Sequence, residues 1–413
     1  MFKYPFVVSK IEYYQHKWGY RSRFCESIFV LSKNKMITPM SLKYTTVLIG
    51  ISISMNVMKL FSQEKLNAEE SPFKFNASYI GDVVSNFSGG IKTGTTYLGL
   101  ANIKAGFNTE TASWWKGGRM YVNIGNTHGG EPSLTLVGDF QGISNIEAGN
   151  LSFLYELWYK QNLGKFEFTV GLQDLNADFA VNEDGAMFTN SSFGIHSSIA
   201  DNVAPPIFPL TALGINARWD ISDTFIWEAA VFDGTPDDFE TNPYNTQWKL
   251  SKNQGYLAVT EFQVKKSLLS GRTGNYKFGV YYHQHNDTIA LEQKNGGLYF
   301  VGDQQISDKL YVFSQIGLCP KKMNKNNRYF SVGLNCKGLI ETRKNDQFGI
   351  AVAYAGIHNS PVGSETAIEV TYKLEINKNI YLRPDIQYII NPAGTEVKLK
   401  NDLVGFLRVG VDF

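Results

Sequence analysis

The chain has 413 residues, a formal net charge of +1 at pH 7, 19% charged residues and 14% aromatic residues. This nearly neutral composition excludes nucleic acid as a partner, because binding to phosphates requires a concentrated positive surface. After residue 62 no apolar run comes near the roughly 18 residues that a membrane-spanning helix needs, which excludes a helical membrane protein for that part of the chain.

The amino-terminal part contains one apolar stretch, "KYTTVLIGISISMNVMKLFSQ", at residues 43–63. A lysine followed by hydrophobic residues and then by small or polar residues is typical of a secretory signal. We therefore predict a signal peptide over residues 40–62 that is cleaved after Ser62, so that residues 63–413 form the exported domain. A single anchoring helix is the alternative, although polar residues interrupt the apolar run.

Residues 1–39 precede this signal and are too long and too basic for an ordinary leader. We interpret them as an N-terminal extension outside the functional domain. Met36 and Met40 are alternative true starts of the protein.

From residue 72 onward, strand-like segments of about eight to twelve residues follow one another, rich in β-branched and aromatic residues or alternating in polarity. The clearest is "GKFEFTVGLQD", in which Phe166, Phe168 and Val170 alternate with Glu167 and Thr169. Sixteen such segments are predicted, starting near Phe73, Gly94, Gly118, Leu151, Lys165, Leu210, Thr224, Tyr256, Asn275, Gly296, Lys309, Arg328, Asp346, Glu365, Ile380 and Asp402. An even number of strands is typical of bacterial outer-membrane barrels formed by one chain.

The connections between these segments alternate in length. Counting back from the carboxyl end, every second link is short, as in "EINKN", "QQISD", "DISD" and "NLG". Several intervening links are long: Asp174 to Pro209, Asp233 to Gly255, and the stretch that begins at Thr127. Outer-membrane barrels have short periplasmic turns and long external loops. We therefore predict an all-β fold, a transmembrane antiparallel β-barrel of about 16 strands in the outer membrane of a Gram-negative bacterium.

The chain ends on the stretch "FLRVGVDF". Leu407, Val409 and Val411 share one face of this segment with Phe413, while Arg408 points to the other face. We predict that this is a closing strand with lipid on its apolar side, and that Phe413 lies at the periplasmic rim. A terminal phenylalanine on such a strand also resembles the signal that these barrels present to their assembly machinery.

Two cysteines, Cys319 and Cys336, lie on predicted strands that flank "PKKMNKNN". In a hairpin, this spacing places Cys319 opposite Arg328 and Cys336 opposite Tyr311, so the two sulfur atoms do not face each other. We therefore expect no disulfide between them.

Five stretches in this order cover much of the chain: "GDFQGISNIEAGNLSFLYELWYKQ", "GLQDLNADFAVNEDGAMFTNSSFGI", "FPLTALGI", "YFSVGLNCKGLIETRKNDQFGIAVAYA" and "YLRPDIQYIINPAG". Together they resemble the OprB family of carbohydrate-selective porins. The resemblance implies a 16-stranded channel through which small neutral sugars diffuse passively, with outer-membrane lipid and the barrel assembly machinery as further partners. The sequence leaves open whether the barrel is a monomer or a homo-oligomer.

The polar faces of the predicted strands mix donors, acceptors and aromatic rings, as a channel for neutral hydroxylated solutes requires. The candidate residues of the sugar pathway are Glu156, Trp158, Lys160, Asn216, Arg218, Arg383, Asp385 and Gln387. The alternative is that such groups only hydrate the barrel interior and pair with one another. Trp158 is the most specific candidate, because contact with lipid does not explain a tryptophan between two charged lumen residues.

The link between the fifth and sixth segments is the third external loop, which in porins folds inward and narrows the channel. Its candidate constriction residues are Asp174, Asp178, Glu183 and Asp184, with Asn190 and His196 as further polar candidates. Long links in compact folds usually have a function. The alternative is a surface loop that Phe188 and Phe193 hold in place.

The chain shows no motif of a serine hydrolase, a metalloprotease or a phosphate-binding enzyme. The closest histidine pair, His283 and His285, lacks a third ligand, so we predict no metal site. We therefore predict a channel that is not an enzyme and has no cofactor. A general porin without sugar preference and an outer-membrane barrel enzyme of lipase type are the alternatives.

Overall fold

The computed structural model describes residues 71–203, 205–286 and 291–413, and within them sixteen β-strands close into one antiparallel barrel. Each strand pairs with its neighbours in sequence, and the first strand pairs with the last to close the barrel. The predictions for residues 1–39 and 40–62 lie outside the described residues. No helix in the described part of the chain is long and apolar enough to cross a membrane.

The strands are β1 (Phe73–Ser88), β2 (Gly94–Asn108), β3 (Gly118–Gly129), β4 (Leu151–Leu163), β5 (Phe166–Gln173), β6 (Ala212–Asp220), β7 (Phe225–Asp233), β8 (Tyr256–Val264), β9 (Gly274–Asn286), β10 (Glu292–Gln305), β11 (Leu310–Leu318), β12 (Asn326–Lys337), β13 (Gln347–Ile357), β14 (Ser364–Asn377), β15 (Ile380–Ile390) and β16 (Asp402–Asp412). The predicted barrel of sixteen strands is confirmed. Apart from β10, every strand begins within two residues of its predicted start. β10 begins earlier because the polar residues 292–295, which show no apolar alternation, pair with residues 283–286 of β9.

Alternation along the strands separates a lipid-facing surface from a lumen-facing surface. In β5, Phe166, Phe168 and Val170 are exposed on the outside of the barrel. Thr169 lies between them on the inside and is directly opposite Asn216 of β6. Because directly opposed residues of an antiparallel pair point to the same side, these registers assign every strand residue to one of the two surfaces.

The last strand has the predicted faces. Leu407 and Val409 are exposed on the lipid-facing side, whereas Arg408 is buried on the lumen side. Phe413 follows β16, and its backbone N–H donates to the carbonyl oxygen of Ala77 on β1 (2.8 Å). The carboxyl terminus is therefore fixed at the rim where β1 begins.

The two rims differ in the length of their links. One rim, which we assign as external, carries links 130–150, 174–211 and 234–255, and the other, periplasmic rim carries the short links 164–165, 221–224, 306–309 and 378–379. Three further periplasmic links are longer: 109–117, 265–273 and 338–346. We call residues 130–150 external loop 2 and residues 174–211 external loop 3.

External loops 2 and 3 contain all the helical turns of the described chain. Loop 2 holds a π-helical turn at Ser133–Val137. Loop 3 holds 3₁₀ turns at Leu175–Ala177, Gly185–Met187 and Ser191–Phe193, followed by the single α-helical turn α1 at Ser197–Ala200. These turns let a long link pack compactly.

The hairpin of β11 and β12 differs by one residue from its predicted register. Cys336 is opposite Leu310 rather than Tyr311. Cys319 lies in the link after β11, where its Sγ donates to the carbonyl oxygen of Asn326 (3.0 Å). The link therefore takes Cys319 out of the strand ladder, and both cysteines are free.

Candidate functional site

External loop 3 folds into the barrel. Its Phe188 and Phe193 are almost completely buried, and both rings pack on Phe313 of β11, with centroids 5.5 and 6.0 Å away. Phe313 points into the lumen because it is directly opposite the lumen-facing Asp303 of β10. The two phenylalanines thus hold the loop inside the barrel rather than on its surface.

Carboxyl groups on the lumen wall accept hydrogen bonds from the backbone of loop 3. Glu369 of β14 accepts from the N–H groups of Thr189 (2.6 Å) and Asn190 (3.0 Å). Glu261 of β8 accepts from the N–H of Ala180 (2.8 Å). A loop without a ladder partner leaves backbone donors unpaired in a buried setting, and these acidic side chains satisfy them.

External loop 2 is fixed in the same way on the adjacent part of the wall. Glu365 of β14 accepts from the N–H groups of Phe140 (2.7 Å) and Gln141 (2.9 Å), and also from Ala393 of the link before β16 (2.8 Å). The two loops also bond to each other, since the N–H of Asn145 donates to the carbonyl oxygen of Thr189 (2.8 Å). Loops 2 and 3 therefore form one structure within the lumen.

The four predicted constriction residues have different environments. Asp174 is a structural residue: it accepts from the hydroxyl of Tyr155 and from the N–H of Asn176, and burial raises its pKa to about 7. Asp178 accepts from the side-chain amide of Asn216 (2.9 Å) on the wall. Asp174 therefore supports the loop, while Asp178 attaches it to β6.

Asp184 and Glu183 lie further along loop 3. Burial raises the pKa of Asp184 to about 6, and the nearby Lys337 ammonium opposes this shift. The backbone N–H of Asp184 donates to Asp303 on β10 (3.1 Å). Glu183 is exposed. Of the four acids, Glu183 is thus the one that presents its carboxylate most openly to water.

The further polar candidates of loop 3, Asn190 and His196, are both fully buried. Asn190 donates through its side chain to Gln387 of β15 (3.1 Å). His196 contacts the hydroxyl of Ser198 through Nδ1 (2.8 Å), and burial lowers the pKa of its imidazole to about 3. Both residues therefore belong to the packing of the loop.

Glu156, Trp158 and Lys160 lie together on the lumen face of β4. The indole Nε1 of Trp158 donates to Glu156 Oε1 (3.1 Å), and the ammonium of Lys160 is 5.5 Å from the indole centroid. On the neighbouring strand β3, Tyr121 stacks on Trp158 with ring centroids 4.9 Å apart. Lys160 also forms an ion pair with Glu167 of β5 (2.8 Å).

This group forms a partly exposed aromatic surface between charges of both signs, which we call the aromatic platform and define by Tyr121, Glu156, Trp158 and Lys160. Tyr121 was not among the predicted residues. The signal that could have found it is the alternation of "GRMYVNIG", which places Arg119, Tyr121 and Asn123 on one face, but the pairing with Trp158 depends on register.

Asn216 and Arg218 share the lumen face of β6. Asn216 is buried and donates to Asp178 and to Glu228 of β7 (3.3 Å). Arg218 forms an ion pair with Asp220 (2.9 Å) and lies 3.9 Å from Glu228. Asn216 thus joins the wall to loop 3, while Arg218 is partly open to the lumen.

Arg383, Asp385 and Gln387 face the lumen on β15 but are largely covered. Gln387 is fully buried and donates to the carbonyl oxygen of Ile143 (2.8 Å), so it anchors loop 2. Arg383 is only 6% exposed, lies over the Tyr381 ring at 5.3 Å, and its Nε has no hydrogen-bond partner among the described residues. The sequence placed these side chains on the correct face but did not predict that the loops cover them.

A buried ion pair joins the first and the last strand of the barrel. Arg408 of β16 donates through Nε and Nη2 to the two carboxylate oxygens of Asp82 on β1, at 2.6 and 2.7 Å. Ser144 of loop 2 donates to the same carboxylate (2.8 Å). Sequence analysis did not single out this pair, because Asp82 and Arg408 are far apart in the chain.

His283 and His285 stack with ring centroids 4.5 Å apart at the external end of β9. Among the described residues, no group of three or more histidine, cysteine or acidic side chains is arranged to hold a metal ion.

Comparison with known proteins identifies the family. The family model for carbohydrate-selective porins of the OprB family matches residues 92–413. This chain belongs to that family. The porin is similar to Porin B of Pseudomonas aeruginosa, with 21% identity over 407 residues, covering 83% of this chain and 88% of that protein. It is also similar to the putative porin QuiX of Acinetobacter baylyi, with 21% identity over 389 residues, 81% of this chain and 88% of that protein.

A solved structure agrees with the fold. The high-pH structure of Pseudomonas putida OprB superposes with a TM-score of 0.74 and 20% identity, covering 84% of this chain and 95% of that one. The porin is therefore a carbohydrate-selective channel of the Gram-negative outer membrane, and it is not an enzyme. Membership of the porin family excludes the alternative of a lipase-type barrel enzyme.

Proposed function

We propose that this porin passes small neutral sugars and that selection occurs at the aromatic platform on the lumen face of β3 and β4. The observation that carries the proposal is the stacked pair of Tyr121 and Trp158, partly exposed and bordered by Glu156 and Lys160. Asp82 of β1 and Arg408 of β16, by contrast, are buried, and Ser144 of loop 2 donates to Asp82.

A sugar ring has an apolar C–H face and a rim of hydroxyl groups. Aromatic rings bind the apolar face, while a carboxylate accepts and an ammonium donates to hydroxyls at the rim. Because the acidic and basic groups of the platform lie side by side, their charges compensate, and no strong field selects ions instead. Weak contacts of this kind favour entry of the sugar and still allow its release.

The test is sugar block of ion current through single channels in planar bilayers. Trp158→Ala should weaken block on the order of 1 kcal/mol, which is about fivefold in affinity. Trp158→Phe should retain most of it, because the flat ring remains. Trp219→Ala is the matched control: Trp219 stacks on Phe166 on the lipid-facing side and should leave block unchanged.

Block that is equally strong in Trp158→Ala and in the unaltered porin would show that the sugar contacts lie elsewhere.

Swelling of liposomes separates sugar selectivity from general diffusion. A sugar-selective channel admits sugars faster than amino acids of equal size, and equal rates would favour a general porin.

We further propose that residues 40–62 are a signal peptide cleaved after Ser62, that residues 63–413 are the exported domain, and that residues 1–39 lie outside it. Sequencing the amino terminus of the porin from isolated outer membranes should then give Gln63 as the first residue. A terminus that includes the apolar stretch would favour the anchoring-helix alternative.

A further inference from the structure

The three longer periplasmic links share a feature that the four short ones lack. Each long link carries two adjacent large apolar residues: Trp114 and Trp115, Leu268 and Leu269, and Leu339 and Ile340. These side chains are 42% to 79% exposed. They lie in links at the rim, outside the strands that line the channel. Exposed apolar pairs at one rim indicate a contact surface.

The link 109–117 packs outward onto the lipid-facing surface. The Trp114 ring lies edge-to-face on Phe107 of β2, with centroids 5.0 Å apart. The indole of Trp115 donates to the hydroxyl of Tyr159 on β4 (2.9 Å). Phe107 and Tyr159 both point to lipid by the registers of β2, β3 and β4. The two tryptophans therefore continue the lipid-facing aromatic surface below the strand ends.

The link 265–273 is attached to the same side of the barrel. The N–H of Leu268 donates to the side-chain oxygen of Gln304 on β10 (3.2 Å). The hydroxyl of Tyr276 on β9 donates to the same oxygen. Tyr276 stacks on Phe300 of the lipid-facing surface. This link is thus held over the outside of the wall.

The link 338–346 repeats the arrangement. The hydroxyl of Tyr372, which lies on the lipid-facing side of β14 opposite Phe348, donates to Asp346 (2.7 Å). Asp346 is also held by Arg343 of the same link (2.8 Å). In all three links a lipid-facing tyrosine therefore bonds, directly or through one glutamine, to the link that carries the apolar pair.

We propose that these three links rest on the inner leaflet of the outer membrane, with their apolar pairs inserted among the phospholipid headgroups. The occupant is lipid rather than a periplasmic protein, because the links continue the lipid-facing surface without a break. Lys265 and Lys266 support this choice: both are exposed, and neither forms an ion pair within the described part of the chain. At this depth their ammonium groups meet lipid phosphates.

The experiment uses the full chain with Cys25, Cys319 and Cys336 replaced by serine. A single cysteine is introduced as Leu269→Cys or Ile340→Cys and labelled with an environment-sensitive fluorophore. Lys378→Cys, in the short link 378–379, is the matched control because it has no apolar neighbour in its link. Each protein is reconstituted in phosphatidylcholine and phosphatidylglycerol vesicles, and quenching by lipid-bound nitroxide is compared with quenching by aqueous iodide.

Positions 269 and 340 should lose fluorescence to the lipid-bound nitroxide and be shielded from iodide, whereas position 378 should show the reverse. If positions 269 and 340 follow position 378, the links stay in water in a pure lipid system, and the proposal is overturned in favour of a protein partner or none. Using two labelled links guards against one variant that fails to fold.

A second test replaces both lysines of the link, as Lys265→Gln with Lys266→Gln, in the protein labelled at position 269. Quenching by the lipid-bound nitroxide should fall at this position, and unchanged quenching would contradict the contact with phosphate.

Discussion

The ion pair between Asp82 and Arg408 predicts a large loss of stability when one partner is removed. Both residues are at most 2% exposed, and the pair joins the first strand to the last. Arg383 is directly opposite Arg408 in the β15–β16 register. The Asp82 carboxylate therefore offsets the positive charge of Arg408 beside the guanidinium of Arg383. In Asp82→Asn the amide directs a donor at a guanidinium that only donates.

Breaking a buried ion pair by neutralising one partner costs about 3–5 kcal/mol, which lowers the ratio of folded to unfolded protein by roughly two to four powers of ten. We therefore expect Asp82→Asn to lower the free energy of unfolding by about this amount. The measurement is equilibrium unfolding in denaturant, followed by tryptophan fluorescence with the barrel in lipid vesicles.

Asp220→Asn is the matched control, because Asp220 pairs with Arg218 at 2.9 Å but its side chain is 50% exposed. Exposed pairs contribute about 0–1 kcal/mol. Equal losses for Asp82→Asn and Asp220→Asn would refute the reasoning. A double-mutant cycle with Arg408→Ala gives the coupling directly, and strictly additive effects would mean that the pair contributes nothing beyond its separate members.

Three further predictions follow from single contacts. Glu369→Gln replaces one of the two oxygens that accept from the backbone of loop 3 by a donor, so sugar discrimination in liposome swelling should fall, whereas Glu110→Gln, at an exposed position of the link 109–117, should leave it unchanged; intact discrimination in Glu369→Gln would mean that the other anchors suffice. The Arg343 guanidinium lowers the pKa of Asp346 to about 2, so its contribution to stability is present above the unfolded pKa of about 4 and is lost as pH falls towards 2; the midpoint of thermal unfolding should drop over this range less in Asp346→Asn than in the unaltered porin. Deleting Phe413 should reduce the yield of assembled barrel more than Asp412→Asn does, and equal yields would argue against a role for the terminal ring in assembly.

The strands of this porin could be predicted from the sequence because lipid and water impose opposite demands on alternate residues. In β5 and β16 apolar and polar or small residues alternate along the strand, so both the strand and its two faces could be predicted from a period of two. β10 began earlier than predicted because its first residues are polar on both faces. Where neither face touches lipid, the pattern carries no information.

The candidate site was predicted less completely, because its geometry depends on contacts between residues far apart in the chain. The pattern of β15 placed Gln387 on the lumen side, but only the folded loops show that it bonds to Ile143. Asp174 was grouped with the acids of the constriction, yet it accepts from the N–H of Asn176 and stabilises the start of a 3₁₀ turn. Composition identifies an acidic loop, but it does not distinguish a carboxylate that faces water from one that completes a turn.

The carboxyl groups of the lumen wall differ from the aromatic platform in their hydrogen-bond partners. Glu261, Glu365 and Glu369 are directed at backbone N–H groups of external loops and are removed from contact with the solute. These anchors lie on β8 and β14 and hold external loops within the lumen. Loop residues also bond to Leu154 and Tyr155 of β4, whereas the indole of Trp158 donates to Glu156 on its own strand. We therefore expect a passing sugar to meet the aromatic platform rather than the acids that hold the loops.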